Sequence, residues 1–465
     1  MLKTLRIQNF KGWKDTGTIR MAPISLFFGA NSSGKSSIGQ FLMMLKQTVE
    51  LSDRKAVFYP GGKNSAVQLG SYQEMVFHRD PANKIAFEYL WSLPETLKFK
   101  DPLSGHSFSG DSLSFQAEVG LGDNEQQSLV VEKLKYQLMQ SEKQSLSVEL
   151  SQKEGSKEYQ VTPEQYPLVR KKMRAWALKD VVRFYGFPDE AVAYYQNAEF
   201  VQVLNFEQEQ LFKSISYLGP LRSKADRVYT WSGHAPESVG SSGENTIAAI
   251  LSARSRKISF GYKRPVKPFE EVIALKLKEM GLIESFTVDQ ISEQLYKVKV
   301  CAKGSKDGID LPDVGFGVSQ VLPVLVECFY AQPGSIILME QPEIHLHPSA
   351  QSALADVLID VINSRENGAN RNIQLVIETH SEHFLRRLQR RIAEDVVSPE
   401  KVSAYFANVT KRPATLDPLQ IDMFGSIKNW PENFFGDEMG DISGQATAAM
   451  KKRIEQCGRG LEVSE

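Results

Sequence analysis

One junction near the N-terminus constrains the chain more than any other feature. Residues 24–28, ISLFF, are an apolar run fit for a buried strand. GANSSGKSS follows at once, from Gly29 to Ser37, and then the amphipathic stretch IGQFLMMLKQTVEL. Strand, G-x-x-x-x-G-K-S, helix is the order a phosphate-cradling loop requires. Gly29 and Gly34 let the backbone wrap closely, so that successive N–H groups and the helix N-terminus point at an anion. In that arrangement Lys35 bridges the β- and γ-phosphates and Ser36 places its hydroxyl on Mg²⁺. The plainer alternative is a Gly/Ser turn before a core helix. Lysine in register behind a strand favours the phosphate loop, and the expectation is an α/β chain that binds a nucleoside triphosphate.

The other half of such a site is an apolar strand ending in an acid. It comes about 300 residues later, where GSIILM runs into Glu340. That distance exceeds a compact nucleotide-binding domain of typical size, so a large insertion separates the two halves. LMEQPEIHLHP leads into a helical stretch, PSAQSALADVLIDVINS. A second apolar strand, NIQLVIETHSE, then places His380 just past its end. Upstream, LPDVGFGVSQVLPVLVECFYA is a glycine-bearing turn opening an apolar helix.

LRIQNFKGWK, GANSSGKSS, VGFGVSQ, LMEQPEIHLHP and VIETHSEHF follow one another in that order. Together they resemble the ABC-type ATPases of the SMC/RecF/OLD group, particularly compact bacterial members associated with phage defence. YLGPLRSKADRVYTWSG (217–233) and FGSIKNWPENFFGDE (424–438) also look like stretches of those members. The resemblance implies a P-loop ATPase head with a mixed sheet flanked by helices and an antiparallel β subdomain. It implies ATP and Mg²⁺ as ligands, with Gly29, Asn31, Ser33, Gly34, Lys35, Ser36, Ser37 and Lys11 on the nucleotide. Magnesium is expected on Ser36, Glu340 and a loop glutamine, for which Gln73 is the candidate and Gln68 the second choice. His380 takes the switch position that senses the γ-phosphate. Gly315, Gly317 and Ser319 take the signature loop, which in the family caps the nucleotide of the opposite subunit, so a homodimer or higher oligomer of heads is implied. Here Gly315 stands where the family usually has serine.

In the wider family the residue after the magnesium acid is glutamate, which activates water; this chain has Gln341. Glu343 follows Pro342, and a turn there returns its side chain to the same cleft, where a carboxylate accepts the proton of the attacking water. Alternatively Gln341 only orients the water, since positioning and charge carry most phosphoryl-transfer catalysis. The expectation is slow hydrolysis with Gln341, Glu343 and His380 as the catalytic set; a non-hydrolysing ATP-gated scaffold is the rival. His345-x-His347 also suits metal chelation from one strand face. The plainer reading puts both in a loop at the dimer seam.

Four segments are expected: an N-terminal lobe (1–162), a small helical insertion (163–215), a C-terminal lobe (216–410) and an extension with tail (411–465). In the first lobe IAFEYLWSL, SLSFQAEV, LKYQLM and SLSVEL alternate with period two, as half-buried antiparallel strands do. The insertion carries Trp176, Phe184, Tyr185, Tyr194, Phe200 and Phe206 at helical spacing. No a/d heptad persists, which excludes a long coiled-coil arm.

A net charge of −1 with 24% charged residues excludes a generally basic nucleic-acid coat. Two local clusters remain: Arg386, Arg387, Arg390 and Arg391, spaced as one helical stripe, and Arg170, Lys171 and Lys172 with Arg174. The stripe tracks a phosphate backbone, docks an acidic partner or is a solvated face; the second cluster adds to the nucleic-acid option, and a RecF-like DNA-repair ATPase is the alternative they raise. Cys301, Cys328 and Cys457 lack paired spacing, which favours a reduced compartment. No run reaches the roughly 18–20 apolar residues of a membrane span and the N-terminus lacks a signal core, so the expected location is cytoplasmic. The tail lacks the acidic cluster of a nuclease, so a defence role requires a separate effector, a nuclease or toxin.

Overall fold

A computed structural model describes residues 1–122, 128–153, 156, 158–172, 177–178, 181–302, 304, 307–409, 413–431, 434 and 443–452. Arg174, Trp176, Phe435 and Cys457 lie outside the described residues.

The site is built on a six-stranded sheet whose strands come from both ends of the chain. In spatial order they are Ile215–Leu218, Ile336–Glu340, Gln374–Glu378, Ile24–Gly29, Val402–Asn408 and Thr415–Pro418. The first five run parallel and the last closes the edge as an antiparallel hairpin. Parallel strands covered on both faces read as near-continuous apolar runs, which is why ISLFF and IILM lack alternation. Their side chains nevertheless alternate between two cores. Phe27, Leu338, Val376 and Tyr405 face one; Leu26, Phe28, Ile337, Met339, Leu375 and Ile377 face the other.

The first core lies between this sheet and an eight-stranded antiparallel sheet led by Leu2–Phe10 and continued by Ile85–Lys100, Ser107–Leu121, Leu129–Gln140, Lys143–Gln152 and Tyr159–Glu164. The period-two segments are therefore strands, longer than the alternation alone marked. The helix Lys35–Glu50 packs Ile38, Phe41, Leu42 and Leu45 into this core beside Phe87, Tyr89, Phe115 and Tyr136. Gln374, fully buried, ties the two sheets: its Oε1 accepts the Leu2 N–H at 2.9 Å, and its Nε2 donates to the carbonyls of Leu2 at 2.8 Å and Ala22 at 3.1 Å. The second core is helical, formed by Thr246–Ser252, Phe269–Glu279, Phe316–Tyr330, Pro348–Asn363 and Glu382–Ala393.

The stretch 163–215 is less helical than its aromatic spacing suggests. Among the described residues of this stretch, helices occupy only Asp189–Tyr194 and Phe200–Lys213. Pro167, Gly186 and Pro188 interrupt the rest, because proline removes a helical donor and glycine weakens the helix. Tyr166, Phe184, Tyr185, Tyr194 and Phe200 still fill the first core, while Phe206 is 54% exposed. The longest helices named above have 16 residues, and among the described residues none is long and apolar enough to cross a membrane. Residues 443–452 form an exposed helix.

Candidate nucleotide site

Strand Ile24–Gly29 delivers the loop Ala30–Gly34 to the C-terminal edge of the parallel sheet, and the helix Lys35–Glu50 begins at once. Gly29 has φ +144°, and a Cβ there would lie 2.8 Å from both the Ala407 carbonyl oxygen and Ser33 Oγ. Gly34, at φ +89°, lies against the Trp13 indole. The helix has no side-chain N-cap and no acid in its first turn, so its leading N–H groups remain available to an anion.

The expected loop residues divide by task. Asn31, Ser33, Gly34, Lys35 and Ser36 line one cavity with Ser32, Gln341, Glu378 and His380. Ser37 is turned inward: it accepts from Trp13 Nε1 at 2.9 Å and donates to the Gly34 carbonyl. Lys35 is buried and donates to the carbonyls of Gly29 at 3.0 Å and Ala30 at 2.7 Å, with Glu378 at 3.9 Å. Burial lowers the pKa of its ammonium and Glu378 opposes that shift. Lys11, at φ +50°, points its amine at Gln40; burial lowers its pKa, and the Glu340 charge acts against this.

Segments about 300 residues apart in sequence meet here. Glu340 and Glu378 end adjacent parallel strands in register, and both line a second cavity with Lys35, Ser36 and Tyr217. The Tyr217 hydroxyl donates to Glu340 Oε1 at 2.9 Å. Burial, then the charge of Glu378, pushes the Glu340 carboxyl up to about 7. Glu378 Oε2 is buried without a hydrogen-bond partner. Two carboxylates, one with an orphaned oxygen, and the Ser36 hydroxyl are a donor set that suits Mg²⁺ with nucleotide phosphates.

Gln341 leaves the strand at φ +46°, a left-handed conformation that costs a non-glycine residue about 1 kcal/mol. Its N–H donates to the Glu378 carbonyl at 2.8 Å. The buried Arg222 guanidinium donates to the carbonyls of Glu340 at 3.2 Å and Gln341 at 3.4 Å; burial lowers its pKa to about 10. Glu343 is 6% exposed and is not among the residues lining either cavity. Its Oε1 accepts the His380 N–H at 2.8 Å, and burial raises its pKa. The structure thus corrects the expectation that Glu343 faces the attacking water: the turn after Pro342 directs it into the protein, where it positions His380. The His380 imidazole lines the cavity, its pKa lowered by burial and then by Lys35.

Residues 1–229 and 242–385 match the AAA ATPase domain family. The chain belongs to the AAA ATPase domain family. Residues 397–445 of this AAA ATPase-domain protein match a family described as a protein of unknown function, DUF3696. No curated protein matches the sequence. Among solved structures it is similar to the SMC head domain from Thermotoga maritima, at 8% identity and TM-score 0.40, covering 90% of this chain and 99% of that one. It is also similar to a Smc head domain bound to the C-terminal domain of ScpA, derived from Pyrococcus furiosus, at 10% identity and TM-score 0.39, covering 90% and 96%.

Other expected residues of the AAA ATPase domain stand apart from the cavity. Gln73 is exposed in the short helix Tyr72–Met75, and Gln68 donates to the Lys63 carbonyl; neither lines the two cavities. Gly315 caps the helix Phe316–Tyr330, Gly317 lies beside the His345 carbonyl, and Ser319 Oγ donates back to the Phe316 carbonyl. The exposed Phe316 ring meets His345 edge-on at 4.8 Å. His347 caps the next helix by accepting from the Ser349 N–H. Among the described residues, no three His, Cys, Asp or Glu side chains gather as a metal site.

Each arginine of the stripe is ion-paired within the protein. Arg387 and Arg391 bind Asp356 of the neighbouring helix, Arg386 pairs with Glu382, and Arg390 with Glu394. Arg386 also lies over the Trp430 ring at 4.7 Å. Glu378, Arg222, Tyr217 and Trp13 join the site without a motif of their own in the sequence. The one available signal was a charge closing an apolar run, NIQLVIE, which reads equally as a strand end.

Proposed function

We propose that this chain binds ATP with Mg²⁺, hydrolyses it slowly, and clamps as a homodimer around nucleotide to control a separate effector, a nuclease or toxin, in anti-phage defence. The observation that carries the nucleotide reading is one cavity shared by Asn31–Ser36 with Gln341, Glu378 and His380. Lys35 moves from the Gly29 and Ala30 carbonyls to the β/γ-phosphates, and the open helix N-terminus holds the remaining anionic charge. Ser36 and Glu340 hold the cation, which when bound withdraws charge from the phosphate oxygens. Gln341 orients the attacking water. His380 contacts the γ-phosphate from the loop that Glu343 fixes.

Dimer formation is supported by the Gly315–Ser319 turn, which faces outward with the exposed Phe316 and takes no part in its own cavity. A non-hydrolysing scaffold is the second reading, favoured by an amide at Gln341 in place of a carboxylate. The ion-paired arginines weigh against a RecF-like grip on DNA. Single-turnover assays with radiolabelled ATP, with and without duplex DNA, together with light scattering, test the proposal. Slow ADP formation without DNA stimulation and a nucleotide-dependent doubling of mass are expected; persistent ATP selects the scaffold, and DNA stimulation the repair reading.

A further inference from the structure

The floor of the cavity holds more negative charge than the nucleotide reading uses. Glu340 and Glu378 stand in register on neighbouring strands, and buried like charges at that spacing repel strongly. Two cations act on the pair, and each has other partners. Lys35 is tethered to two backbone carbonyls, and the Lys11 amine donates to Gln40. Glu340 spends one oxygen on the Tyr217 hydroxyl. Glu378, 9% exposed, places one oxygen 3.9 Å from Lys35 Nζ and leaves the other buried and unpartnered beside Ser36 and Glu340. Its backbone is fixed as well, because its carbonyl accepts the Gln341 N–H. The loop glutamines expected to complete the metal shell, Gln73 and Gln68, are exposed and line neither cavity.

We propose that Glu378 is a second carboxylate ligand of the divalent cation, so that Glu340, Glu378 and the Ser36 hydroxyl make a seat able to take the metal before nucleotide arrives. The inference rests on the nucleotide reading of the same site. It gives the unpartnered oxygen a partner, and it relieves the repulsion between the two carboxylates. It also explains how Lys35 is released to phosphate: the cation takes over as counter-charge to Glu378. Magnesium is commonly held by one or two carboxylates with the substrate phosphates completing its shell, and the absent loop glutamine is then unnecessary.

Mn²⁺ is the probe, measured by the loss of the free-ion paramagnetic resonance signal on titrating the nucleotide-free full chain. The wild type binds Mn²⁺ without nucleotide, and Glu378→Gln weakens that binding about tenfold or more. Glu378→Asp keeps the charge on a shorter arm and gives an intermediate loss, which serves if the glutamine variant fails to fold. Equal Mn²⁺ affinity in wild type and variants, or no Mn²⁺ binding by nucleotide-free wild type, overturns the proposal. So does a Glu378→Gln protein that loses hydrolysis with Mn²⁺ affinity intact, since that assigns the residue to the water. Binding of a fluorescent ATP analogue in EDTA is measured in parallel. Its absence in the wild type defeats the nucleotide reading, whereas its persistence in Glu378→Gln with Mn²⁺ binding unchanged defeats only the metal assignment.

Discussion

Gln341→Glu puts a carboxylate back at the position where this chain has an amide. The two side chains are nearly isosteric, and the main-chain grip on the position is unchanged: Arg222 holds the carbonyls of residues 340 and 341, and the residue 341 N–H stays on Glu378. A positioned general base contributes about a hundredfold or more, so the single-turnover rate rises by that factor at pH 8. The new charge joins Glu340 and Glu378. With carboxylates taken as about 5 Å apart and an effective dielectric of about 20, each such pair repels by about 3 kcal/mol. One such repulsion raises the new carboxyl by roughly 2 pKa units, so the gain develops as the pH climbs past about 6. Quenched-flow measurement of ADP formation at saturating ATP, repeated across pH 5.5–8.5, gives both the factor and its profile. A rate at pH 8 equal to or below wild type, with ATP affinity intact, refutes the reasoning that a missing base limits turnover.

Further outcomes follow from particular contacts. Gln374→Ala takes the side-chain partner from the buried Leu2 N–H and carbonyl at the junction of the sheets, the Ala22 carbonyl keeping the Ser25 hydroxyl, and costs about 2 kcal/mol or more, read as a lower urea midpoint; a midpoint within error of wild type contradicts the tie. Glu343→Ala unseats His380 and lowers kcat with little change in ATP affinity, whereas Glu343→Gln, which keeps an acceptor for the His380 N–H, retains most activity. The Glu340 carboxyl, raised to about 7, carries a proton that a cation must displace. Mn²⁺ affinity therefore rises from pH 6 to pH 8 and then flattens. Because this folded-state pKa lies above the ordinary value of 4.5, the cation-free fold loses stability from this group as pH rises through about 7.

Much of the fold was legible because each element wrote its own local signal. ISLFF before GANSSGKSS, and IILM before Glu340, marked strands that do end at one sheet edge. The period-two runs between residues 84 and 162 marked the antiparallel sheet. Within the expected helical insertion 163–215, the described residues before Asp189 fill a core with aromatics from non-helical backbone, which mimics helical spacing, and Pro167, Gly186 and Pro188 carry the contrary signal. The site was legible where the chemistry is contiguous, at Lys35 and Ser36, and illegible where it depends on register between strands. Glu378 acquires its meaning from standing beside Glu340, 38 residues away in sequence. The inward direction of Glu343 is illegible in sequence because it depends on the backbone N–H of His380, which its carboxylate accepts. The four arginines share a helix as expected, but Asp356 on the neighbouring helix pairs with two of them.

The central claim is that the N-terminal loop and the strand about 300 residues later form one triphosphate pocket. Equilibrium binding of a fluorescent ATP analogue to wild type, Lys35→Ala and Glu340→Ala tests it most directly, with and without Mg²⁺. Tight binding by wild type is expected, with loss in Lys35→Ala under both conditions and loss of only the Mg²⁺-dependent part in Glu340→Ala. No binding by wild type, or equal affinity in all three proteins, contradicts it.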